Sequence, residues 1–194
     1  MTPASNIIGI LLAAGFSRRF GSENKLKHLL STGEPIGLAA AKHLVLAIPF
    51  SIAVIRKDDL VLAKLLGRAG INLIACPTHK EKMADSLASA VEYAAEHRPA
   101  GYVIALADMP FIRSETIALV AEQIQNGASI VIPTYLGQRG HPVGFSAVYT
   151  EELKALSGDE GARSIIKRHA EKVVTLACDD PGILKDIDTL EDLS

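Results

Sequence analysis

Two acids and one loop are the residues best placed to do chemistry. Asp108 directly follows the apolar run YVIALA (residues 102–107) and precedes Met109-Pro110. Asp188 follows the apolar Ile187 in the C-terminal segment KDIDTLEDL. Acids at the rim of a sheet are natural Mg²⁺ ligands beside a bound triphosphate, and Asp188 could complete a shell begun by Asp108. The loop is GILLAAGFSRRFGSENK, residues 9–25. Gly15 and Gly21 let its backbone turn N–H groups toward an anion, and Arg19 and Lys25 can add charge-assisted contacts to phosphate oxygens. It is not the Walker loop, because Gly21 is followed by Ser-Glu-Asn-Lys, and G-x-G-x-x-G is missing as well.

Two more segments are candidates. In GQRGHPVGF (residues 137–145) two glycines flank Arg139 and His141 follows Gly140, a loop fit to approach a bulky anionic ligand. In KMADSLASAV, Ser86 lies near the start of a helix, where its hydroxyl and the free N–H groups could meet a ligand. Each feature also has a plain structural reading. The first loop reads equally as a glycine-rich turn with solvated arginines, and Asp108 as a turn cap before Pro110. Asp186, Asp188 and Asp192 read as a solvated acidic tail, His141 as a structural loop histidine, and Ser86 with Ser89 as the polar side of a helix.

The positioning elements follow from hydropathy. IIGILL (residues 7–12) is a continuous apolar run, as expected of a strand buried on both faces. A helix is predicted from Pro35, at its first position, to Ala47. Strands are predicted over 51–55, 71–76, 102–107 and 129–135, with helices over 59–70, 83–96 and 114–125, the last capped by Ser114. After Tyr135 a loop leads into a short strand. Helices near 150–156 and 162–169 follow, then strand-like VVTLA and ILKDI, and Thr189 can cap a short last helix with Glu191 and Asp192. Alternating strands and helices predict one α/β domain over 1–194 with a parallel sheet covered on both faces. Ligands are then expected at the carboxyl ends of the strands.

Composition narrows the function. The chain has 194 residues, 48% hydrophobic and 22% charged, with net charge −2 and no Trp. There is no global basic field and no set of stacking aromatics to gather nucleic acid, so phosphate binding must be local. Cys76 and Cys178 share no metal-ligand spacing with histidine and read as buried free thiols in a reducing compartment. The N-terminal apolar run is too short to span a membrane and no cationic region precedes it. The expectation is a cytoplasmic protein.

Taken in order, LLAAGFSRRFG with Lys25, MADSL, LADMP, GQRGHPVGF, GDEGAR and DIDTLEDL resemble the nucleotidyltransferases that finish pterin cofactors, molybdenum cofactor cytidylyltransferase and its relatives above all. The first motif and DMP are shared with many nucleotidyltransferases; RGHPV followed by GDxGAR is more specific to the cytidylyltransferase-like branch. The resemblance implies a Rossmann-like, doubly wound, mostly parallel sheet with one antiparallel strand, of the nucleotide-diphospho-sugar transferase type. It implies that a terminal phosphate of molybdopterin attacks the α-phosphorus of CTP and pyrophosphate leaves. Leu12, Ala13, Ala14, Gly15 and Gly21, with Arg19, Lys25 and Ser86, would hold the nucleotide. Asp108 and Asp188 would hold Mg²⁺, and Arg139, Gly140 and His141 would face the acceptor. Arg19, Lys25 and Asp108 are then the catalytic set. Such a transfer needs alignment and charge neutralisation more than covalent help from the protein.

Relatives that use GTP carry LAGG where this chain has Ala14, and a methyl there narrows the pocket in favour of a pyrimidine. Departures from the pattern are the three residues between Gly21 and Lys25, which leave Lys27 as a rival for the phosphate, Lys82 in place of a glycine before Met83, and Ala107 in LADMP. The implied partners are CTP or another nucleoside triphosphate, a molybdopterin-type acceptor and a molybdenum hydroxylase as client, with no nucleic acid or membrane, in a monomer or weak dimer. Three other readings are carried. One is a GTP-dependent or sugar-phosphate nucleotidyltransferase. Another is a glycosyltransferase using Asp186-Ile187-Asp188 as its D-x-D motif. The last is a cofactor-binding insertion chaperone.

Overall fold

The computed structural model describes residues 6–15, 24–76, 83–158 and 161–189. Its strands are β1 (Ile7–Leu12), β2 (Ser51–Arg56), β3 (Asn72–Cys76), β4 (Gly101–Leu106), β5 (Ile130–Tyr135), β6 (Gln138–Arg139), β7 (Val143–Ser146) and β8 (Val173–Ala177). The helices are α1 (Ile36–Ala47), α2 (Leu60–Gly67), α3 (Met83–Ala95), α4 (Ser114–Gln125), α5 (Thr150–Lys154) and α6 (Arg163–Arg168). The strands form one sheet in the order β3-β2-β1-β4-β7-β5, and β5 also pairs with β6 and β8.

Strands β1 to β4 pair in parallel, as does β8 with β5, while β7 is antiparallel to both β4 and β5. The antiparallel part exceeds the single strand expected, because β6 also runs antiparallel to β5 through Thr134–Arg139 and Tyr135–Gln138. Two residues inside a glycine-rich loop carry no hydropathy signal, so β6 was hidden.

Alternate residues of the inner strands enter opposite cores, as a period of two requires. Ile7, Leu11, Ala53, Ile55, Val103 and Ala105 join one cluster with α1, α2 and α4. Ile8, Ile10, Ile52, Val54, Tyr102 and Ile104 join the other with α3, α5 and α6. The sheet is therefore wound on both faces. The continuous apolar runs arise because β1, β2 and β4 have no solvent face.

Three local expectations are corrected. Pro35 caps α1 from outside instead of occupying its first turn. Ser114 does not cap α4: it is the first helical residue and its hydroxyl donates to Glu115. The segment 183–187 is not a strand. Pro181–Leu184 form a 3-10 turn, with Asp180 accepting the Gly182 N–H. Proline's fixed φ and that side-chain cap set a turn before the apolar pair Ile183-Leu184 can extend. The short helix expected around Glu191 and Asp192 lies outside the described residues.

Candidate active site

Register places the two main motifs side by side. Leu12 pairs with Leu106, so β1 and β4 end together, and the Ala107 N–H donates to the Leu12 carbonyl at 3.1 Å. The Ala13 N–H donates to the Val54 carbonyl at 3.0 Å, tying the same point to β2. Ala13 and Ala14 are buried and Gly15, beyond the end of β1, is exposed. Arg19 and Gly21 lie outside the described residues.

Asp188 reaches this rim from the far end of the sequence. The Ile187 N–H donates to the Asp108 carbonyl at 2.9 Å, and the Ile187 side chain is fully buried beneath it. Between the two carboxylates stands Lys25. Its Nζ lies 2.7 Å from Asp108 Oδ2 and 3.1 Å from Asp188 Oδ1, and it donates to the Ile187 carbonyl at 2.9 Å. Burial pushes the Lys25 amine down, but its bonds to Asp108 and then Asp188 outweigh this, so its pKa lies above the usual lysine value. Lys25 is thus a fixed cation at physiological pH.

Lys25 and Lys27 have different partners. Lys27 pairs with Asp59 Oδ1 at 2.7 Å, away from the carboxylates of the rim. Asp59 caps α2 by accepting the Leu62 N–H at 3.0 Å, and also accepts from Asn24 Nδ2 at 2.9 Å. Asn24 in turn accepts the Leu26 N–H at 3.1 Å. These bonds pin the 3-10 turn Lys25–Lys27 to α2 and aim Lys25 inward.

The acceptor-loop candidates gather on the same rim. Arg139 is exposed on β6, and Gly140 donates its N–H to the Pro133 carbonyl at 2.9 Å. A Cβ on Gly140 would stand 2.3 Å from the Ile183 carbonyl oxygen, so only glycine permits this approach. The His141 N–H donates to that same carbonyl at 3.0 Å. Burial holds the His141 imidazole below its usual pKa; Asp108 opposes this, Arg163 adds to it and Asp186 opposes it. His141 is therefore neutral at pH 7, and its Nδ1 is buried with no hydrogen-bond partner among the described residues. That leaves a polar atom able to bond a ligand without adding charge.

Ser86 is placed differently from a residue open to solvent. It is 5% exposed, and its hydroxyl lies 3.4 Å from Cys76 Sγ at the end of β3. The Ala84 N–H, at the start of α3, donates to the Gly158 carbonyl at 3.3 Å, which joins the MADSL and GDEGAR segments. Both cysteines are free.

Two carboxylates already hold one cation between them, so the donor set suits positive charge, and hard oxygen ligands suit a divalent ion such as Mg²⁺ or Mn²⁺. No group of three or more His, Cys, Asp or Glu side chains among the described residues could hold a metal by itself. Substrate oxygens and water can supply further ligands, as is usual for Mg²⁺ beside a phosphate chain.

The model of the MobA-like NTP transferase domain matches residues 9–173. The chain belongs to that family. It is a nucleotidyltransferase of the MobA-like family, which replaces the glycosyltransferase reading; Asp188 faces Asp108 across the rim, while Asp186 is exposed. Over 196 residues the chain is 32% identical to the purine catabolism protein PucB of Bacillus subtilis (strain 168), covering 96% of this chain and 93% of that one. Its fold is similar to that of Rv0371C of Mycobacterium tuberculosis H37Rv, solved as a complex with manganese (TM-score 0.75, 22% identity, 96% of this chain and 95% of that one). It is similar too to a nucleotidyl transferase from Methanothermobacter thermautotroptrophicus (TM-score 0.79, 18% identity, 96% and 93%). No helix among the described residues is long and apolar enough to cross a membrane.

Asp180 was missed by sequence reasoning. It is 2% exposed and accepts from the Arg113 N–H at 2.9 Å, the Thr116 hydroxyl at 2.7 Å and the Gly182 N–H at 3.0 Å. In Cys-Asp-Asp-Pro-Gly it reads as an ordinary turn acid, and two of its three partners lie more than sixty positions away in sequence.

Proposed function

We propose that the chain transfers CMP from CTP to the terminal phosphate of a molybdopterin-type acceptor and releases pyrophosphate. The observation that carries this is the Lys25–Asp108–Asp188 cluster, set where β1 and β4 end and beside the glycine-bearing loop. A phosphate oxygen of the acceptor attacks the α-phosphorus, a new P–O bond forms, and the bond to the β-phosphate bridging oxygen breaks. An acceptor phosphate is already ionised at pH 7, so no strong general base is required.

Asp108 and Asp188 would hold a divalent cation, Mg²⁺ in the first instance, whose contribution is to neutralise charge on the phosphates as the bond to pyrophosphate breaks. Lys25 then has a second anion to serve. Displaced from the carboxylates, its ammonium is within the same rim as the phosphates and supplies them a positive charge. Arg19, Gly15, Gly21 and the backbone from Leu12 to Ala14 complete the cradle. Ser86 contributes through its position at the start of α3 more than through its hydroxyl, which faces Cys76. Arg139 can meet an acceptor phosphate, and the neutral His141 can bond a pterin without adding charge.

Ala14 supports cytidine. It is buried at 9% exposure, so its methyl occupies space that a glycine would leave to a larger base. Kinship with a purine catabolism protein supports a client in that branch of metabolism, a molybdenum hydroxylase by its need for this cofactor. Incubation with molybdenum cofactor, Mg²⁺ and each nucleoside triphosphate in turn tests the reading. CTP should release pyrophosphate in a cofactor-dependent manner, and no release with any nucleotide would overturn it. Release with GTP in place of CTP would favour the guanylyl alternative.

A further inference from the structure

The segment 179–188 touches the head of α4, the loop after β4, the loop bearing His141, and Lys25. At its start, Asp180 binds the head of α4 through the Arg113 N–H and the Thr116 hydroxyl, and the Arg113 guanidinium donates to the Asp179 carbonyl at 2.8 Å. Next, Gly182 lies so close to the loop after β4 that a Cβ there would stand 2.1 Å from the Phe111 carbonyl oxygen. The Ile183 carbonyl then accepts the His141 N–H, and Ile187 donates to Asp108. The segment is a strap that joins the acceptor loop, the loop after β4 and Asp188.

We propose that Asp180 is a positioning residue for this site: by anchoring the strap to the first turn of α4, it sets where Asp188 stands opposite Asp108. This rests on reading Asp108 and Asp188 as a divalent-cation site. A buried carboxylate is a costly way to close a turn, because its desolvation must be offset by hydrogen bonds, and an apolar residue of similar size carries no such cost. What the carboxylate adds is direction. Oδ2 takes both donors of α4 while Oδ1 takes the strap, so one planar group fixes two segments relative to each other. The bond from Ile187 to Asp108 then transmits that placement to the adjacent Asp188. Partners that orient a metal ligand from behind typically change metal affinity on the order of 10- to 100-fold when removed.

The test is a titration of Mn²⁺ alone into the full chain, followed by the electron paramagnetic resonance of the free ion, at a temperature well below the Tm of every variant. Asp188→Asn is expected to weaken Mn²⁺ binding by at least about tenfold, and Asp180→Ala by on the order of tenfold. Thr116→Val removes one donor of the three and keeps the carboxylate; a loss of roughly threefold is expected, and Asp180→Asn, whose amide nitrogen cannot accept a second N–H, should recover only part of the affinity lost in Asp180→Ala. Wild-type Mn²⁺ affinity in Asp180→Ala, with only its Tm lowered, would make Asp180 a purely structural residue and overturn the proposal. If Asp180→Ala does not fold, Thr116→Val decides in the same way, wild-type affinity overturning it. Unchanged binding in Asp188→Asn would instead overturn the cation-site reading on which the proposal rests.

Discussion

The backbone N–H of Ile187 donates to the carbonyl of Asp108 at 2.9 Å, and this one bond sets two acids, eighty residues apart in sequence, on either side of Lys25. Substitution of Asp108 by Asn keeps the shape and removes the charge, so kcat for nucleotidyl transfer should fall on the order of 10²-fold or more. A steady-state assay of pyrophosphate release checks this. Unchanged turnover would remove Asp108 from the site, and survival of cofactor delivery without transfer would favour an insertion chaperone.

Lys25 and Lys27 should separate cleanly. In Lys25→Met the carboxylates lose their resident cation, so Mn²⁺ affinity of the free protein should rise while kcat/KM for the nucleotide falls by on the order of 10²-fold. Lys27→Met breaks a partly buried pair with Asp59 and should cost stability by about 1 kcal/mol, with little change in kcat. Isothermal titration with Mn²⁺ and turnover measurements on both variants distinguish the two roles.

Much of this was legible in the chain itself. The strands showed as unbroken apolar runs because β1, β2 and β4 are buried on both faces, and Asp108 was marked by its place directly after such a run. Other features depend on distance in space. Whether Lys25 or Lys27 turns inward is decided by Asp59, which pulls Lys27 aside from a different element. The start of α4 looks like a serine cap, yet its donors are taken by Asp180 from beyond β8. ILKDI has the hydropathy of a strand, but the Asp180-Pro181 turn before it makes a strap instead.

Asp59 gives the fold a dependence on acid. Burial raises its pKa, but the bonds from Lys27, the Leu62 N–H and Asn24 outweigh this and hold the carboxyl below its usual value. A depressed carboxyl contributes stability that is present above the unfolded-state pKa and lost as pH falls through the folded one. Asp59→Asn retains a capping side chain, so its difference from the wild type isolates the charge. Urea melts should show that difference constant near neutral pH and shrinking as pH drops below about 4.

Gly140 couples the loop between β6 and β7 to the strap. In Gly140→Ala the new methyl would meet the Ile183 carbonyl, so the loop or the strap must shift, at a typical cost of about 1–3 kcal/mol. The KM for the molybdopterin acceptor should rise more than that for the nucleotide. Equal effects on both substrates would place this loop outside the acceptor side of the site.

Base choice should respond to Ala14. Removing its methyl in Ala14→Gly should lower the ratio of kcat/KM for CTP over GTP by roughly 10-fold, the worth of one buried methyl-sized contact. A ratio that does not move would take Ala14 out of the base pocket.

The most direct measurement is mass spectrometry of molybdenum cofactor after incubation with the chain, Mg²⁺ and an equimolar mixture of CTP and GTP. A cofactor product heavier by one CMP, absent with Asp108→Asn, is the predicted result. Unmodified cofactor, or a product carrying GMP alone, would contradict cytidylyl transfer to this acceptor.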